Sequence, residues 1–157
     1  MAQKKASSTE VTMTQLVLPN DTNNLDNLRG GKLLHWMDLA AAVSAQKHCN
    51  NIVVTASVDH VSFENPIKRG DVVTLKAKVT RAFRTSMEVF IEVWAENIPA
   101  RRKVKSNEAY FSFVALNDLG KPEPVPELIP ETDLEKEHYN AAAVRRTQRL
   151  EHAGRRS

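Results

Sequence analysis

The stretch GGKLLHWMDLAAAVSAQ, residues 30–46, decides the fold, because it predicts one long helix that is apolar on most of its sides. At about 100° per residue, Asp38 points about 40° from Leu34, and Ala41 and Ala45 lie on the same side. The outward-facing side of the helix, which we call the outward arc, is only partly polar and consists of Lys32, Trp36, Leu39, Val43 and Gln46. Such a helix is typically wrapped by other structure. An acid within it costs free energy unless it is paired, hydrogen-bonded or used in chemistry.

Five other segments have the alternation or the β-branched content of strands. They are residues 11–18, 51–63, 72–83, 86–97 and 108–118. The last of these follows a basic loop, IPARRKVK, and is apolar on both faces, which suits a central strand. One apolar helix followed by mostly antiparallel strands predicts an α+β fold, with a sheet long enough to curl around the helix.

Two of these strands predict clear faces, one apolar and one polar. The apolar positions are Val73, Leu75, Ala77 and Val79 in one strand and Val89, Ile91 and Val93 in the other. The opposite face of the second strand has Glu88, Glu92 and Glu96, which we expect to point away from the helix.

The chain has 157 residues, of which 41% are hydrophobic and 26% charged, as in a soluble globular protein with one core. We expect residues 1–10 to be disordered and residues 11–125 to form the domain. Residues 126–157 hold a Pro-rich segment, a polar C-terminal helix and a basic tail. The single cysteine, Cys49, excludes an intrachain disulfide and is expected to be a small buried or incidental thiol rather than a nucleophile.

The charge of the chain is concentrated at its end. The last thirteen residues, RRTQRLEHAGRRS, carry a net +4, against +3 for the whole chain, so a solvated tail is expected rather than a nucleic-acid surface. No apolar run approaches the about 20 residues of a membrane span. The N-terminus lacks the apolar region of a signal peptide. We therefore expect a cytoplasmic protein with neither nucleic acid nor membrane as a partner.

Two features inside the helical stretch allow chemistry. Gly30 and Gly31 let a ligand approach the backbone closely, and the first N–H groups of a helix can hold a carbonyl oxygen or an oxyanion. The alternative is a tight turn that leads into the helix. Asp38 is either a structural acid, bonded to a neighbouring subunit or a turn, or a general base or nucleophile.

Other catalytic patterns are missing from the sequence. The histidines at positions 35, 48, 60, 138 and 152 have no metal-ligand spacing, and no serine has the context of a nucleophile elbow. Several cations could bind phosphates, although a solvated edge is the simpler expectation for most: Arg81, Arg84, Arg101, Arg102, Lys103 and Lys105. No metal is therefore expected.

The segment LPNDTNNLDNLRGGKLLHWMDLAAAVSA, residues 18–45, resembles the signature of the hotdog-fold acyl-CoA thioesterases of the brain and cytosolic acyl-CoA hydrolase type. Its elements here are Pro19, Asp21-Thr22-Asn23, Gly30-Gly31 and Met37-Asp38. Further similar segments are FENPIKRGDVV (63–73), RAFRTSMEVFIEVWAEN (81–97) and YFSFVALNDLGKP (110–122). The resemblance covers about residues 11–125.

The resemblance implies a single hotdog domain, in which a long central helix is wrapped by a curved, mainly antiparallel sheet. It implies hydrolysis of acyl-CoA to a free fatty acid and CoA without a metal or other cofactor, CoA being part of substrate and product. Asp38 would be the base or nucleophile, and Asn23 would come from across a dimer interface. The N–H of Gly31, beside Gly30, would polarise the thioester carbonyl. The segment Arg84, Thr85 and Ser86 would contact CoA, where a guanidinium suits phosphate.

The resemblance also implies a homodimer at minimum, with a hexamer as a trimer of dimers as the larger assembly. Two alternatives stay open. One is a non-catalytic acyl-CoA sensor with the same fold. The other is a hotdog dehydratase or hydratase, which would have to use His35 or His60.

Overall fold

The computed structural model describes residues 2–156, so Met1 and Ser157, at the ends of the predicted N-terminal segment and tail, lie outside the described residues. Its two α-helices are α1 (Gly30–Cys49) and α2 (Asp133–Arg156). Its strands are β1 (Lys4–Lys5), β2 (Val11–Leu16), β3 (Ile52–Phe63), β4 (Val72–Ala82), β5 (Ser86–Asn97), β6 (Arg102–Leu116) and β7 (Leu128–Ile129). Short 3₁₀-helices span Ala6–Thr9 and Pro19–Asp21.

The main sheet has five strands in the order β2-β4-β5-β6-β3, and every pairing is antiparallel. Helix α1 contacts all five strands from one side, which we call the inner face. The prediction of a central helix on a mainly antiparallel sheet is therefore confirmed. β6 is an interior strand, as its two apolar faces indicated. It begins at Arg102, so the predicted basic loop shortens to residues 98–101.

Strand alternation positions the core as predicted. All seven apolar residues predicted for β4 and β5 are buried on the inner face. From α1 they meet Met37, Ala41 and Ala45, which are also buried. Cys49 is buried as expected, and burial raises the pKa of its thiol.

The outward arc of α1 differs from the prediction at Trp36, which is buried. It belongs to the buried apolar cluster of the core, which also includes Leu28 before α1 and Ile67 in the β3–β4 loop. Leu39 and Val43 on the arc are 45% and 44% exposed, and Leu34 is 43% exposed although it was expected near the inner side. Within one chain, α1 is thus wrapped on only part of its surface.

The N-terminal segment is ordered, so the expected disorder is wrong for Lys4–Thr9. β1 pairs in parallel with β7, which ties the N-terminal segment to the segment just before α2. Thr9 is buried, where its Oγ1 accepts the N–H of Val79 at 2.9 Å and its carbonyl accepts the hydroxyl of Ser44 at 2.7 Å. Polar composition suggested disorder, but these polar groups satisfy buried partners on β4 and α1.

Helix α2 packs against the opposite, outer face of the sheet, and two arginines of the basic segment are part of that packing. Arg145 donates three hydrogen bonds to Glu88, and Arg149 donates one to the same carboxylate at 2.8 Å. Burial opposes the ionisation of Glu88, yet hydrogen bonds from Arg145, Thr80 and Arg149 outweigh it and lower the pKa. The expectation of a solvated tail is therefore wrong for Arg145 and Arg149.

Candidate active site

Asp38 lies in the middle of α1, half-buried and aimed at strand β3. Its Oδ1 accepts a hydrogen bond from the Thr55 hydroxyl at 2.7 Å. Within residues 2–156, its Oδ2 has no protein donor, so this oxygen is available to water or a substrate. The carboxylate is therefore fixed by one oxygen and open at the other, as a general base or nucleophile requires.

Thr55 is a site residue that the sequence did not predict. It is one of several β-branched residues in β3, and only tertiary structure distinguishes it from the others. Its register partner is Phe113, whose side chain is buried in the core, so Thr55 points to the inner face and towards α1. No local signal could have identified it.

The glycines at the start of α1 are required neither by backbone conformation nor by packing within the chain. Neither Gly30 nor Gly31 has a positive φ, and a Cβ added to either would meet no atom within 4 Å. This weakens the tight-turn alternative and favours a close approach by a ligand or a second subunit. The N-cap residue, Arg29, supplies no side-chain hydrogen bond, so the first N–H groups of α1 face open space.

Asn23 stands in an exposed turn just before α1. Its Oδ1 accepts the N–H groups of Leu25 at 2.9 Å and Asn27 at 3.2 Å, which fixes the orientation of the amide. Among the described residues, no protein acceptor binds its Nδ2. Asn23 therefore presents a positioned hydrogen-bond donor to its surroundings. The neighbouring Asp21 is structural, since its buried carboxylate accepts the N–H of Leu18.

The segment predicted to contact CoA forms the turn between β4 and β5. Ser86 begins β5, Thr85 is half-buried, and Arg84 is exposed beside an open cleft of about 720 Å³. The next residue, Met87, pairs across the sheet with Phe113, and Phe113 pairs with Thr55. Strands are about 4.8 Å apart, so this turn and the Asp38–Thr55 pair lie at the same end of the sheet, about 10 Å apart.

One chain does not bring all the predicted site residues together. Gly31 and Asp38 are seven residues apart on one straight helix, which separates them by about 10 Å along its axis. A carbonyl oxygen held at Gly31 is therefore out of reach of the Asp38 carboxylate in the same chain.

The histidines of the alternative hypotheses lie elsewhere. His35 is exposed on α1, and His60 packs edge-on against Tyr110, whose other neighbours include His138 of α2 on the outer face. In the part of the chain that the structure describes, no three His, Cys, Asp or Glu side chains gather as metal ligands. No helix among residues 2–156 is long and apolar enough to cross a membrane.

Comparison with known proteins identifies the family. The model of the Thioesterase superfamily matches residues 26–100. A Bacillus subtilis protein named as an uncharacterized acyl-CoA thioester hydrolase is 41% identical over 140 residues, which are 89% of this chain and 81% of that protein. The mouse cytosolic acyl coenzyme A thioester hydrolase is 35% identical over 85% of this chain, which spans 35% of the mouse protein. The chain belongs to the thioesterase superfamily, with its hotdog fold.

Solved structures agree with this assignment. An apo-hexameric acyl-CoA thioesterase superposes with a TM-score of 0.94 at 38% identity, covering 98% of both chains. The acyl-CoA hydrolase of Staphylococcus aureus, solved with butyryl coenzyme A and coenzyme A, has a TM-score of 0.88 at 36% identity, with 98% and 96% coverage. Three further structures of that enzyme carry alanine in place of one Asp, one Thr or one Asn.

Proposed function

We propose that this chain is an acyl-CoA thioester hydrolase in which the Asp38 carboxylate is the general base or nucleophile. The observation that carries the proposal is the Asp38 carboxylate itself, held at Oδ1 by Thr55 and open at Oδ2. The activity is supported by the relatives, which are named for hydrolysis of acyl-CoA thioesters, and by the coenzyme A bound to the S. aureus enzyme.

The spacing of the residues replaced in the S. aureus enzyme supports the choice of Asn23, Asp38 and Thr55. In this chain Asp38 follows Asn23 by 15 residues, and Thr55 follows Asp38 by 17. The Asn, Asp and Thr replaced by alanine in the S. aureus structures have the same two separations. These three residues therefore form our candidate catalytic set.

The chemistry proceeds at the thioester carbonyl. Oδ2 of Asp38 either takes a proton from water, which attacks the carbonyl carbon, or attacks that carbon itself. The oxyanion that forms accepts the N–H of Gly31, and Asn23 Nδ2 positions the water or the thioester. The carbon–sulfur bond breaks, CoA leaves as a thiolate and takes up a proton, and the fatty acid is released. No metal or other cofactor enters these steps.

The active unit in this proposal is a dimer, because Asp38 and Gly31 of one chain are too far apart to act on one thioester. Asp38 of one subunit then meets Gly31 and Asn23 of the other. The free edge of β3 supports this, since its Ile52 is 65% exposed and its Val54 is 44% exposed. A hexamer, as a trimer of dimers, is the larger assembly we propose by likeness to the hexameric neighbour.

We place the protein in the cytoplasm, by likeness to the relatives named cytosolic. The turn of Arg84, Thr85 and Ser86 would bind the CoA part of the substrate, the guanidinium facing phosphate.

The test is release of free thiol from acyl-CoAs of two to eighteen carbons, about ten substrates in all, by the native protein and its variants. We expect Asp38→Ala and Asn23→Ala each to lower kcat by about a hundredfold or more. The matched control is Asp118→Ala, which removes an exposed carboxylate from the turn after β6. Tight CoA binding without turnover would favour the sensor, and turnover undiminished in Asp38→Ala would refute the mechanism.

A single turnover in H₂¹⁸O with enzyme in excess identifies Asp38 as the nucleophile if the label is found in its carboxylate. As a general base, Asp38 leaves the label only in the fatty acid. As a nucleophile, it forms an anhydride with the acyl group. Water attacking the Asp38 side of that anhydride then leaves ¹⁸O in the Asp38 carboxylate.

A further inference from the structure

Strand β3 is held by a side-chain contact on each of its faces. On the inner face, Thr55 donates to Asp38 of α1 at 2.7 Å. On the outer face, Oδ2 of Asp59 lies 3.5 Å from Nη1 of Arg149, on α2. In the described sheet β3 is an edge strand, hydrogen-bonded only to β6. Within the subunit, these side-chain contacts therefore supplement the single backbone ladder that joins β3 to β6.

A β-bulge makes this two-sided contact possible. In a regular strand, residues 55 and 59 would share one face, because side chains alternate. Here the register shifts between Thr55 and Ser57, and the extra residue turns Asp59 to the outer face. A second shift follows Asp59, where His60 has a φ of 50°. Two interruptions of the ladder leave this part of β3 with fewer regular backbone hydrogen bonds to fix it.

Arg149 is an anchored cation rather than a mobile one. Its Nη1 also donates to Oε2 of Glu88 at 2.8 Å, and Glu88 is fully buried. Arg145, about one turn earlier on α2, pairs with the same carboxylate. Asp59 is placed against this fixed group, with its other oxygen buried and without a partner. Loss of Arg149 would remove the ion-pair partner of Asp59, while Arg145 would still hold the Glu88 carboxylate.

We propose that Arg149 is a positioning residue for catalysis, which fixes β3 through Asp59 and so holds Thr55 against Asp38. The proposal rests on the catalytic role of Asp38 given above. It gives α2, which packs on the outer face of the sheet, a function in a candidate active site on the inner face. Glu88 contacts Arg149, and Arg149 contacts Asp59. The backbone of β3 joins Asp59 to Thr55, four positions earlier, and Thr55 contacts Asp38.

This geometry makes the expected effect selective. The turn proposed to bind CoA joins β4 and β5 and is not part of β3. Glu88, two residues after this turn, keeps its ion pair with Arg145 when Arg149 is lost, so we expect substrate binding to be retained. Misplacement of Thr55 disturbs the carboxylate that performs the chemistry, and displacements of about 1 Å can cost up to about a hundredfold in rate. We therefore expect a fall in kcat with KM nearly unchanged.

The experiment measures kcat, KM and the thermal midpoint of the full-length protein with the best acyl-CoA substrate. Arg149→Gln and Asp59→Ala are each expected to lower kcat by about tenfold and to change KM by less than about twofold. Asp59→Ala breaks the contact without leaving an unpaired carboxylate, and it decides the matter if Arg149→Gln does not fold. Arg149→Lys, which keeps the charge, is expected to recover part of the lost kcat.

The matched control is Lys78→Gln. Lys78 also joins α2 to the sheet, through Glu135 at 2.8 Å, but it lies on β4 and touches no residue of β3. We expect this variant to lower the thermal midpoint while its kcat stays within about twofold of the native value. It separates general loosening of α2 from a specific effect on β3.

A double-mutant cycle with Thr55→Ala tests the route. If Arg149 acts through Thr55, then Arg149→Gln adds almost no further loss of kcat once Thr55 is alanine. Losses that multiply in the double variant overturn the proposal, and so do Arg149→Gln and Asp59→Ala variants whose kcat matches that of Lys78→Gln. Asp38→Ala is measured alongside: if it stays active, the proposed function fails instead, and the two failures are distinguishable.

Discussion

Glu135 fixes the start of α2, and its charge state should control how firmly that helix is docked. Its Oε1 accepts the N–H groups of Glu131 and Thr132, while the Thr132 hydroxyl accepts the N–H of Glu135, which makes a capping box. Its Oε2 pairs with Lys78 at 2.8 Å. Burial opposes ionisation, but the Lys78 contact and the two backbone hydrogen bonds outweigh it and lower the pKa from 4.5 to about 2.

The perturbation is Glu135→Gln, which keeps the amide acceptor for the cap and removes the charge. At about 1.36 kcal/mol per pH unit between the unfolded and folded pKa, the carboxylate contributes at most about 3.4 kcal/mol. Because Lys78 is partly exposed to solvent, we expect the variant to lose about 1–2 kcal/mol of unfolding free energy at pH 7. Since the folded pKa is depressed, this stabilisation is complete above pH 4.5 and is lost as pH falls towards 2.

The assay is denaturant unfolding of both proteins between pH 7 and pH 3 at one fixed subunit concentration, because oligomer stability depends on concentration. The difference between native protein and variant should shrink to less than half by pH 3. Glu131→Gln is the control, since Glu131 is an exposed residue whose partner Lys5 lies 3.6 Å away. A difference that stays constant over this pH range would refute the reasoning, as would an equal effect of the control.

Three further predictions concern the site and the core. Gly31→Ala should leave the thermal midpoint unchanged or higher, because a Cβ there meets no atom of the chain within 4 Å. The same variant should lower kcat/KM in thiol-release assays, and full activity would contradict a close approach of substrate to Gly31. Thr55→Val should lower kcat by about ten- to a hundredfold, because the Asp38 carboxylate loses a hydrogen bond worth about 1.5–3 kcal/mol. Thr55→Ser keeps the hydroxyl and should retain most of the native kcat. Ile91→Ala should lower the unfolding free energy by about 2–5 kcal/mol in denaturant titrations, since that side chain is fully buried, and a loss below about 1 kcal/mol would disagree with its place in the core.

The elements of the sheet could be predicted because strand periodicity is a local property. Alternation in 72–83 and 86–97 identified the buried faces of β4 and β5 correctly, and the apolar helix was found from its first residue. The helix extends to Cys49, three residues beyond the quoted stretch, and ends at Asn50 in a left-handed conformation.

The errors arose where partners distant in sequence decide the structure. Trp36 is buried in a core that includes residues outside the helix, which a helical projection does not consider. Glu88 follows the alternation of its strand and does face away from α1, but α2 covers it with Arg145 and Arg149. A run of arginines is usually solvated, and only the position of a buried carboxylate on β5 makes two of these part of the packing.

Only part of the candidate site could be predicted, because some of its residues have a local signal in the sequence and others do not. Asp38 and the two glycines could be selected because an acid and a glycine pair are unusual in an apolar helix and at its start. Thr55 could not, because a threonine in a β-branched strand is ordinary and its role depends on a contact across 17 residues of sequence. The proposed pairing of Asp38 with Gly31 of a second chain follows from helix length, which the sequence does contain.

The most direct test of the central claim is the steady-state rate of CoA release by Asp38→Asn. Asparagine preserves the size of the side chain and can still accept the Thr55 hydroxyl, but it is neither a base nor an effective nucleophile. The account predicts a kcat at least about a hundredfold below that of the native protein, with an unchanged thermal midpoint and retained CoA binding. A kcat within about threefold of the native value would contradict it.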